Sequence, residues 1–319
     1  MAQGAITFLL QIVVFPGFLF LVLAALFYEW LDRKFVARFQ NRFGPLHTGP
    51  MGLLQPFADL VKLLSKEDIV PLAADKLLFS ATPIFLATFP LLALFCVPIV
   101  ENTALIAFEG DLIFVIFLST LIIVSMFIGA WSSTSRFSTV GGVRACLQML
   151  SYEIPMTVVM TGPVIVAKSL SLSKIVQWQS SGFWFVTTQP LGFCILSICL
   201  LAALQRIPFD IPKAETELVA GWATEFSGKK LALLKLAEDF ELVLAGAIMT
   251  SLYLGGPSGF WFMPPFAWFM AKLTLCILIL SNLRALFARF RIDQLIRGLW
   301  QYLIPLALFQ IILVQLIPW

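Results

Sequence analysis

The sequence predicts an all-α integral membrane protein, with about eight transmembrane helices and one amphipathic helix at the membrane surface. Three observations carry this. Apolar residues fill 60% of the 319 positions and charged ones only 12%. A soluble domain is nearer a quarter charged and could not cover its surface in water with so few charges. Apolar runs, of which a bilayer span needs roughly 20 residues, recur at about 6–28, 79–100, 111–131, 146–167, 184–205, 237–256, 262–283 and 300–318. The charges between them alternate. Residues 29–78, 132–145, 206–236 and 284–299 hold 7, 2, 5 and 4 Lys or Arg, which is 18 of the 21 in the chain. The positive-inside rule makes these four segments cytoplasmic loops and puts both termini outside. Residues 1–319 read as a single membrane domain.

Each element follows in turn. The first run has no basic leader and no small-residue cleavage site, so it reads as a permanent helix. Lipid requires every backbone polar group to be paired internally, and the runs lack the alternation of a membrane β-barrel, so helix is expected throughout. Within the first loop, Leu53, Phe57, Leu60, Val61 and Leu64 share one helical face, with Asp59, Lys62 and Lys66 on the other. That pattern describes a helix lying in the interface, either an anchor or one wall of a cavity at the membrane surface.

Composition also excludes some chemistry. The only histidine is His47, which rules out a multi-histidine metal or haem site within the chain. The five cysteines (Cys96, Cys146, Cys194, Cys199, Cys276) form no C-x-x-C pair and read as small apolar packing residues. The chemistry must therefore come from charge. Prolines around Phe209-Asp210 turn the chain out of the membrane, and Glu215, Glu217 and Glu225 then gather negative charge in a semi-apolar loop. Glu153 lies about two turns into the fourth run, Glu238, Asp239 and Glu241 open the sixth, and Lys272 is near the middle of the seventh. Charges at such depth cost a few kcal/mol each and usually pair or line a wet path. For Lys272 the expectation is a carboxylate partner or a water-filled cavity.

Several motifs in order give the chain a family likeness. Asp32-Arg33-Lys34, Gly49-Pro50-Met51-Gly52-Leu53-Leu54-Gln55-Pro56 with Ala58-Asp59 and Lys62-Leu63, Ser151-Tyr152-Glu153, and Pro208-Phe209-Asp210 come first. Glu215-x-Glu217-Leu218-Val219-Ala220-Gly221, Thr224-Glu225-Phe226-Ser227-Gly228 and Arg289-Phe290-Arg291-x-Asp293-Gln294-Leu295 complete the set. Together they resemble the membrane component that closes the quinone chamber of respiratory complex I, often called the H subunit, over almost the whole chain. Gln205-Arg206-Ile207, Lys213 and Ala237-Glu238-Asp239-Phe240-Glu241 depart from the usual respiratory pattern. Phe108-Glu109-Gly110-Asp111-Leu112-Ile113 and Gly129-Ala130-Trp131-Ser132-Ser133-Thr134-Ser135 look more like the ferredoxin-linked membrane hydrogenases and sulfane-sulfur reductases, toward which the reading leans.

The resemblance implies a subunit of a redox-driven ion translocase in the cytoplasmic membrane, an enzyme only as part of its complex and with no redox centre of its own. Its implied partners are a [NiFe]-hydrogenase-like large subunit, a small subunit with an iron–sulfur cluster, antiporter-like membrane subunits and the lipid bilayer, with no nucleic acid. Iron–sulfur clusters, and NiFe or quinone, would sit in or beside those partners. Arg33, Arg42, Asp59, Lys62, Asp210, Glu215, Glu217 and Glu225 would form the docking face or quinone-chamber wall. Glu153, Glu238, Asp239 and Lys272 would carry protons, and Arg289, Arg291 and Asp293 would pair charges near the last helix. Two other readings remain, a self-contained transporter and a passive anchor. The absence of an internal repeat or of paired interrupted helices weighs against the first.

Overall fold

The computed structural model describes residues 10–259 and 263–316, except the side chain of Glu215. Eleven helices organise the described residues: α1 Phe18–Phe39, α2 Gln55–Leu64, α3 Lys76–Phe95, α4 Asp111–Ser132, α5 Arg136–Ala167, α6 Leu172–Ser181, α7 Pro190–Ala203, α8 Gly228–Tyr253, α9 Pro265–Leu286, α10 Ile292–Gly298 and α11 Ile304–Leu316. No strand occurs among the described residues. A turn of helix from Leu10 precedes α1, and a π-helical turn joins α10 to α11. Six helices are long and apolar enough to cross a membrane: Leu10–Phe39, α3, α4, α5, α9 and Ile292–Leu316. The shorter α7 is also apolar. α8 is 26 residues long but carries Glu238, Asp239 and Glu241 in its length. Within the described residues, each of the eight apolar runs thus falls largely on helix.

The helices are longer than the runs at their polar ends, and this changes the depth of several charges. α5 begins ten residues before its apolar run, so Glu153 stands near the middle of the helix, not two turns in. α8 starts at Gly228, so Glu238, Asp239 and Glu241 lie about three turns inside it instead of opening it. α9 is displaced toward the C-terminus, and Lys272 stands about two turns from its start, not at mid-span.

α8 is the axis of the bundle. It packs against α1, α2, α3, α6, α7 and α9, and every residue from Asp239 to Tyr253 is buried. A helix enclosed on all sides is apolar all round, which fits Leu242-Val243-Leu244-Ala245-Gly246-Ala247-Ile248-Met249. By contrast α11 buries only Ala307, Gln310 and Val314. Most of its surface is apolar and outward, as expected of a helix bathed in lipid.

The four basic loops meet at one end. Lys230 Nζ lies 2.7 Å from Asp68, the Asp75 N–H donates to the Ser132 carbonyl at 3.0 Å, and Ser138 Oγ donates to the Trp222 carbonyl at 2.6 Å. The Phe290 N–H donates to the Pro208 carbonyl at 3.0 Å. Gly221 is required in this interlock. Its φ is +61°, and a Cβ there would lie 2.0 Å from the Pro212 carbonyl oxygen. At the opposite end, Lys174 pairs with Glu109 at 2.5 Å and the Leu172 N–H donates to Asp111 at 2.7 Å. Of the five cysteines, Cys96, Cys199 and Cys276 are buried as expected, but Cys194 is exposed.

Candidate functional site

The amphipathic segment folds as expected, with one inversion. α2 turns its apolar residues outward: Phe57, Val61 and Leu64 are exposed, as are Leu53 and Leu54 before it. Asp59 turns inward, together with Leu60 and Leu63, while Lys62 and Lys66 stay exposed. An interfacial helix presents its apolar side to acyl chains, which leaves Asp59 and Lys62 to line a cavity of about 580 Å³ behind it. That volume lies within the roughly 300–1,000 Å³ range of small-molecule sites. The other walls come from α1, the 205–213 loop, α8 and Arg284 of α9.

Charge lines this cavity in an ordered network. Arg33 donates to Glu29 at 2.6 Å and to Asp59 at 2.8 Å. Asp59 also accepts from Gln55 at 2.9 Å. Burial works against the Asp59 carboxylate, but the hydrogen bonds from Arg33 and Gln55 outweigh it and hold the group below its ordinary range. Deeper in, Asp32 accepts from Arg206 and Arg284, each at 2.5 Å, and from Ser281 Oγ at 2.6 Å. Glu238 is pinned by Lys213 at 2.8 Å and Lys235 at 3.2 Å. Asp239 is hydrogen-bonded to Glu29, within electrostatic reach of Arg206 and Glu238. Acids and bases therefore alternate from the mouth of the cavity to the axis of the bundle.

One turn beyond Glu238, Glu241 is buried and its Oε1 has no hydrogen-bond partner among the described residues. It faces a second, apolar cavity of about 50 Å³, which Ser119 and Tyr152 also line. A water needs roughly 10–15 Å³ and polar partners, and these three residues supply both. Adjacent to Ser119 and Tyr152 stand Thr120 and Glu153, joined by a hydrogen bond from the Thr120 hydroxyl to the Glu153 carboxylate.

The structure brings together Arg33, Asp59, Lys62, Asp210, Glu238 and Asp239 in the first cavity, whereas Glu153 lines neither cavity and meets the Thr120 hydroxyl. Arg42 lies next door, in a pocket of about 260 Å³ that it shares with Arg33 and Arg284. Glu217 is drawn away from the cavity. It is exposed, bonded to Arg144 at 2.6 Å and 3.9 Å from Arg289, which also donates to Thr216 at 3.1 Å. The Arg144 hydrogen bond holds the Glu217 carboxyl below its usual range. Glu225 is half-buried in the same loop, and the Glu215 side chain lies outside the described residues. Arg291 and Asp293, expected to pair charges, are exposed and join no ion pair among the described residues.

Lys272 is not brought to the acids. Its ammonium donates to the carbonyls of Leu254 at 2.6 Å, Gly256 at 3.0 Å and Ser258, over the Trp184 ring (4.3 Å) with Trp268 also near. No carboxylate among the described residues meets it; the C-terminal end of α8 and two indoles take that role. About 13 residues of helix, roughly 20 Å, separate this cage from Glu241. Sequence reasoning missed Glu29, Asp32, Arg206, Lys235, Glu241 and Arg284 as site residues. The available signal was the Asp32-Arg33-Lys34 segment itself, an acid at the end of an apolar run.

An all-helical bundle with six helices long and apolar enough to cross a membrane, and a charged cavity at its basic end, defines the class: a multi-pass membrane protein. The family model described as NADH dehydrogenase matches residues 10–315. Named relatives agree, each an H subunit of NADH-quinone oxidoreductase. The one numbered 1 in Geobacter metallireducens is 40% identical over 304 residues, 92% of each chain. The one numbered 2 in Rhizobium meliloti is 37% identical over 98% of this chain and 97% of its own. That of Dehalococcoides mccartyi is 37% identical over 96% and 85%. The chain belongs to this NADH dehydrogenase family, among its H-type membrane subunits.

Proposed function

We propose that the chain is the membrane-anchoring and coupling subunit of a complex-I-related, ion-translocating oxidoreductase. In this reading the basic end faces the cytoplasm and carries the iron–sulfur and [NiFe]-like arm, and antiporter-like subunits receive the proton signal. One observation supports it above others: the charged cavity behind α2 reaches Asp239, and half a turn further along α8 the buried Glu241 lines a second, small cavity. A passive anchor gives no reason for a buried carboxylate, with Oε1 unpartnered among the described residues, between two cavities lined by the same helix.

The chain's contribution is electrostatic. At an effective dielectric of about 20, a unit charge arriving roughly 10 Å away is worth about 1.7 kcal/mol, which exceeds one pKa unit. Such a change at the mouth shifts protons between Asp239 and Glu241, because Glu238 is already neutralised by Lys213 and Lys235. Glu153 then passes the proton to the neighbouring face. Glu241→Gln is expected to abolish ion pumping while the cytoplasmic arm stays bound and its dye-acceptor activity survives. Intact pumping sinks the path, and loss of the arm on a native gel makes Glu241 an assembly residue.

The finer reading is the ferredoxin-linked hydrogenase or sulfur-reductase branch. It is supported by the resemblance of residues 108–113 and 129–135, and by Lys213, a departure from the usual respiratory pattern that places a cation on Glu238. The second reading is a quinone chamber, supported by the names of the relatives and the size of the cavity. There Arg33, Asp59 and Lys62 would meet the quinone head, which would supply a proton-coupled electron acceptor. Ferredoxin-driven pumping by the reconstituted complex without added quinone supports the first branch; strict dependence on quinone supports the second.

A further inference from the structure

Beside the charged cavity, the pocket of about 260 Å³ is lined by Arg33, Arg42 and Arg284, and no acid lines it among the described residues. The end of α1 builds it. The Asn41 N–H donates to the Arg38 carbonyl at 3.1 Å and the Arg42 N–H to the Ala37 carbonyl at 2.9 Å, with Asn41 at a φ of +52°. This left-handed stop reverses the chain at the helix end and brings Arg42 back beside Arg33. Lys34 Nζ then holds the returning segment through the carbonyls of Pro45 at 3.2 Å and Met51 at 2.7 Å. Gly44 permits the close approach, since a Cβ there would lie 3.2 Å from the Lys34 Cα.

The three guanidinium groups have donors to spare. Arg33 gives Nε to Glu29 and Nη1 to Asp59, and Arg284 gives Nη1 to Asp32. Nη2 of each has no partner among the described residues, and neither has any nitrogen of the Arg42 side chain. Charge is left over as well. Glu29, Asp32 and Asp59 pair with Arg33, Arg206 and Arg284. Asp239 adds no further anion, because its hydrogen bond to Glu29 requires a proton between the two carboxyl groups. Arg42 stays uncompensated.

A chloride ion has no directional acceptors for planar forks, and a carboxylate has fewer oxygens than there are arginines. A terminal phosphate presents three acceptor oxygens, and arginine donates to such oxygens in pairs. We propose that this pocket binds one terminal phosphate group, its oxygens shared by Arg33, Arg42 and Arg284. The site is separate from the charged cavity and does not rest on the function given to that cavity. Two sources carry the same chemistry: free inorganic phosphate, and the headgroup of phosphatidic acid, whose chains would run past the exposed Phe35, Phe39 and Phe43. Arg33 and Arg284 line both spaces, so occupancy of the pocket is felt as charge in the cavity.

Arg42 makes the test direct, because its side chain holds no other part of the structure. The complex, purified through this chain without phosphate, is titrated with inorganic phosphate against sodium chloride of equal ionic strength while its melting temperature is followed. It is also exchanged into micelles containing phosphatidic acid or phosphatidylcholine, and retained lipids are counted by native mass spectrometry. A free-phosphate site raises the wild-type melting temperature with phosphate above chloride. A headgroup site retains one phosphatidic acid, which excess inorganic phosphate releases. In either case R42Q is expected to bind about ten-fold more weakly, and R42K, which keeps the charge without the fork, to fall between. Three results overturn the proposal. One is an equal effect of phosphate and chloride together with equal retention of the two lipids. Another is a phosphate or phosphatidic acid response unchanged in R42Q. The third is loss of a partner subunit from R42Q, which would give the pocket to a carboxylate of that partner. If R42Q does not accumulate, R42K decides alone, and binding equal to wild type overturns the proposal.

Discussion

Asp32 and Lys272 are both buried charges in a lipid-embedded bundle, and the chain stabilises them in opposite ways. Asp32, at the basic end, is held by ions: Arg206 and Arg284 donate to it, with Ser281 beside them. Lys272, at the other end, is held by neutral groups, three carbonyls and two indoles. Pairing ties Asp32 to Glu29 and Asp239 through Arg206, so a change of charge anywhere in that network is felt throughout it. Caging isolates Lys272, because carbonyl dipoles do not titrate. One buried charge sits in a network of other charges, and the other among neutral dipoles and rings.

The largest expected effect tests the paired end. Asp32→Ala leaves Arg206 and Arg284 facing one another without their shared anion. Removing one partner of a buried pair costs about 3–5 kcal/mol, so the variant should fail to assemble or melt far below the wild type on a native gel. A melting curve close to wild type would mean that water reaches the network freely.

A smaller effect is expected at the caged end. Lys272→Met strands three carbonyls, and leaving such groups unsatisfied costs about 1–3 kcal/mol. The melting temperature should fall while the ratio of ions pumped to electrons transferred stays the same. A lowered ratio in an assembled complex would return Lys272 to the proton path and remove the contrast between the two ends.

The smallest effect belongs to Glu217, which is charged and paired but exposed. Exposed pairs contribute about 0.2–1 kcal/mol, so Glu217→Gln should cost little at neutral pH. Its folded-state pKa is depressed by Arg144, so its contribution is present above the unfolded value, near 4.3, and is lost as pH falls through the folded value. Stability of wild type and variant should therefore converge as the solution is acidified below that range. A difference that grows with acid would reverse the sign.

How much of this was legible follows from the kind of signal involved. The eight runs and the α2 pattern were readable because hydrophobic periodicity is local. The partners of Asp32 were not, since Arg206 and Arg284 lie 174 and 252 residues away. The cage of Lys272 left no trace in residue type, because backbone carbonyls belong to every residue. Along the sequence Glu217 belongs to an acidic loop, whereas its neighbours in space are arginines, which no local pattern announces.

The inversion of α2 has a consequence for how the cavity behind it keeps its shape. Among the described residues, Arg33–Asp59 is the only ion pair that joins this wall to the rest of the cavity lining, at 2.8 Å, and Phe57, Val61 and Leu64 face away from the protein. The inner side of α2 packs on α1 and α8 through Pro56, Leu60 and Leu63, and an interfacial helix seats its outer apolar side in acyl chains, so the bilayer would be a second layer of the site's masonry. Thinning the membrane, loosening its lateral pressure or replacing it with detergent would change the volume of a chamber whose own residues are untouched.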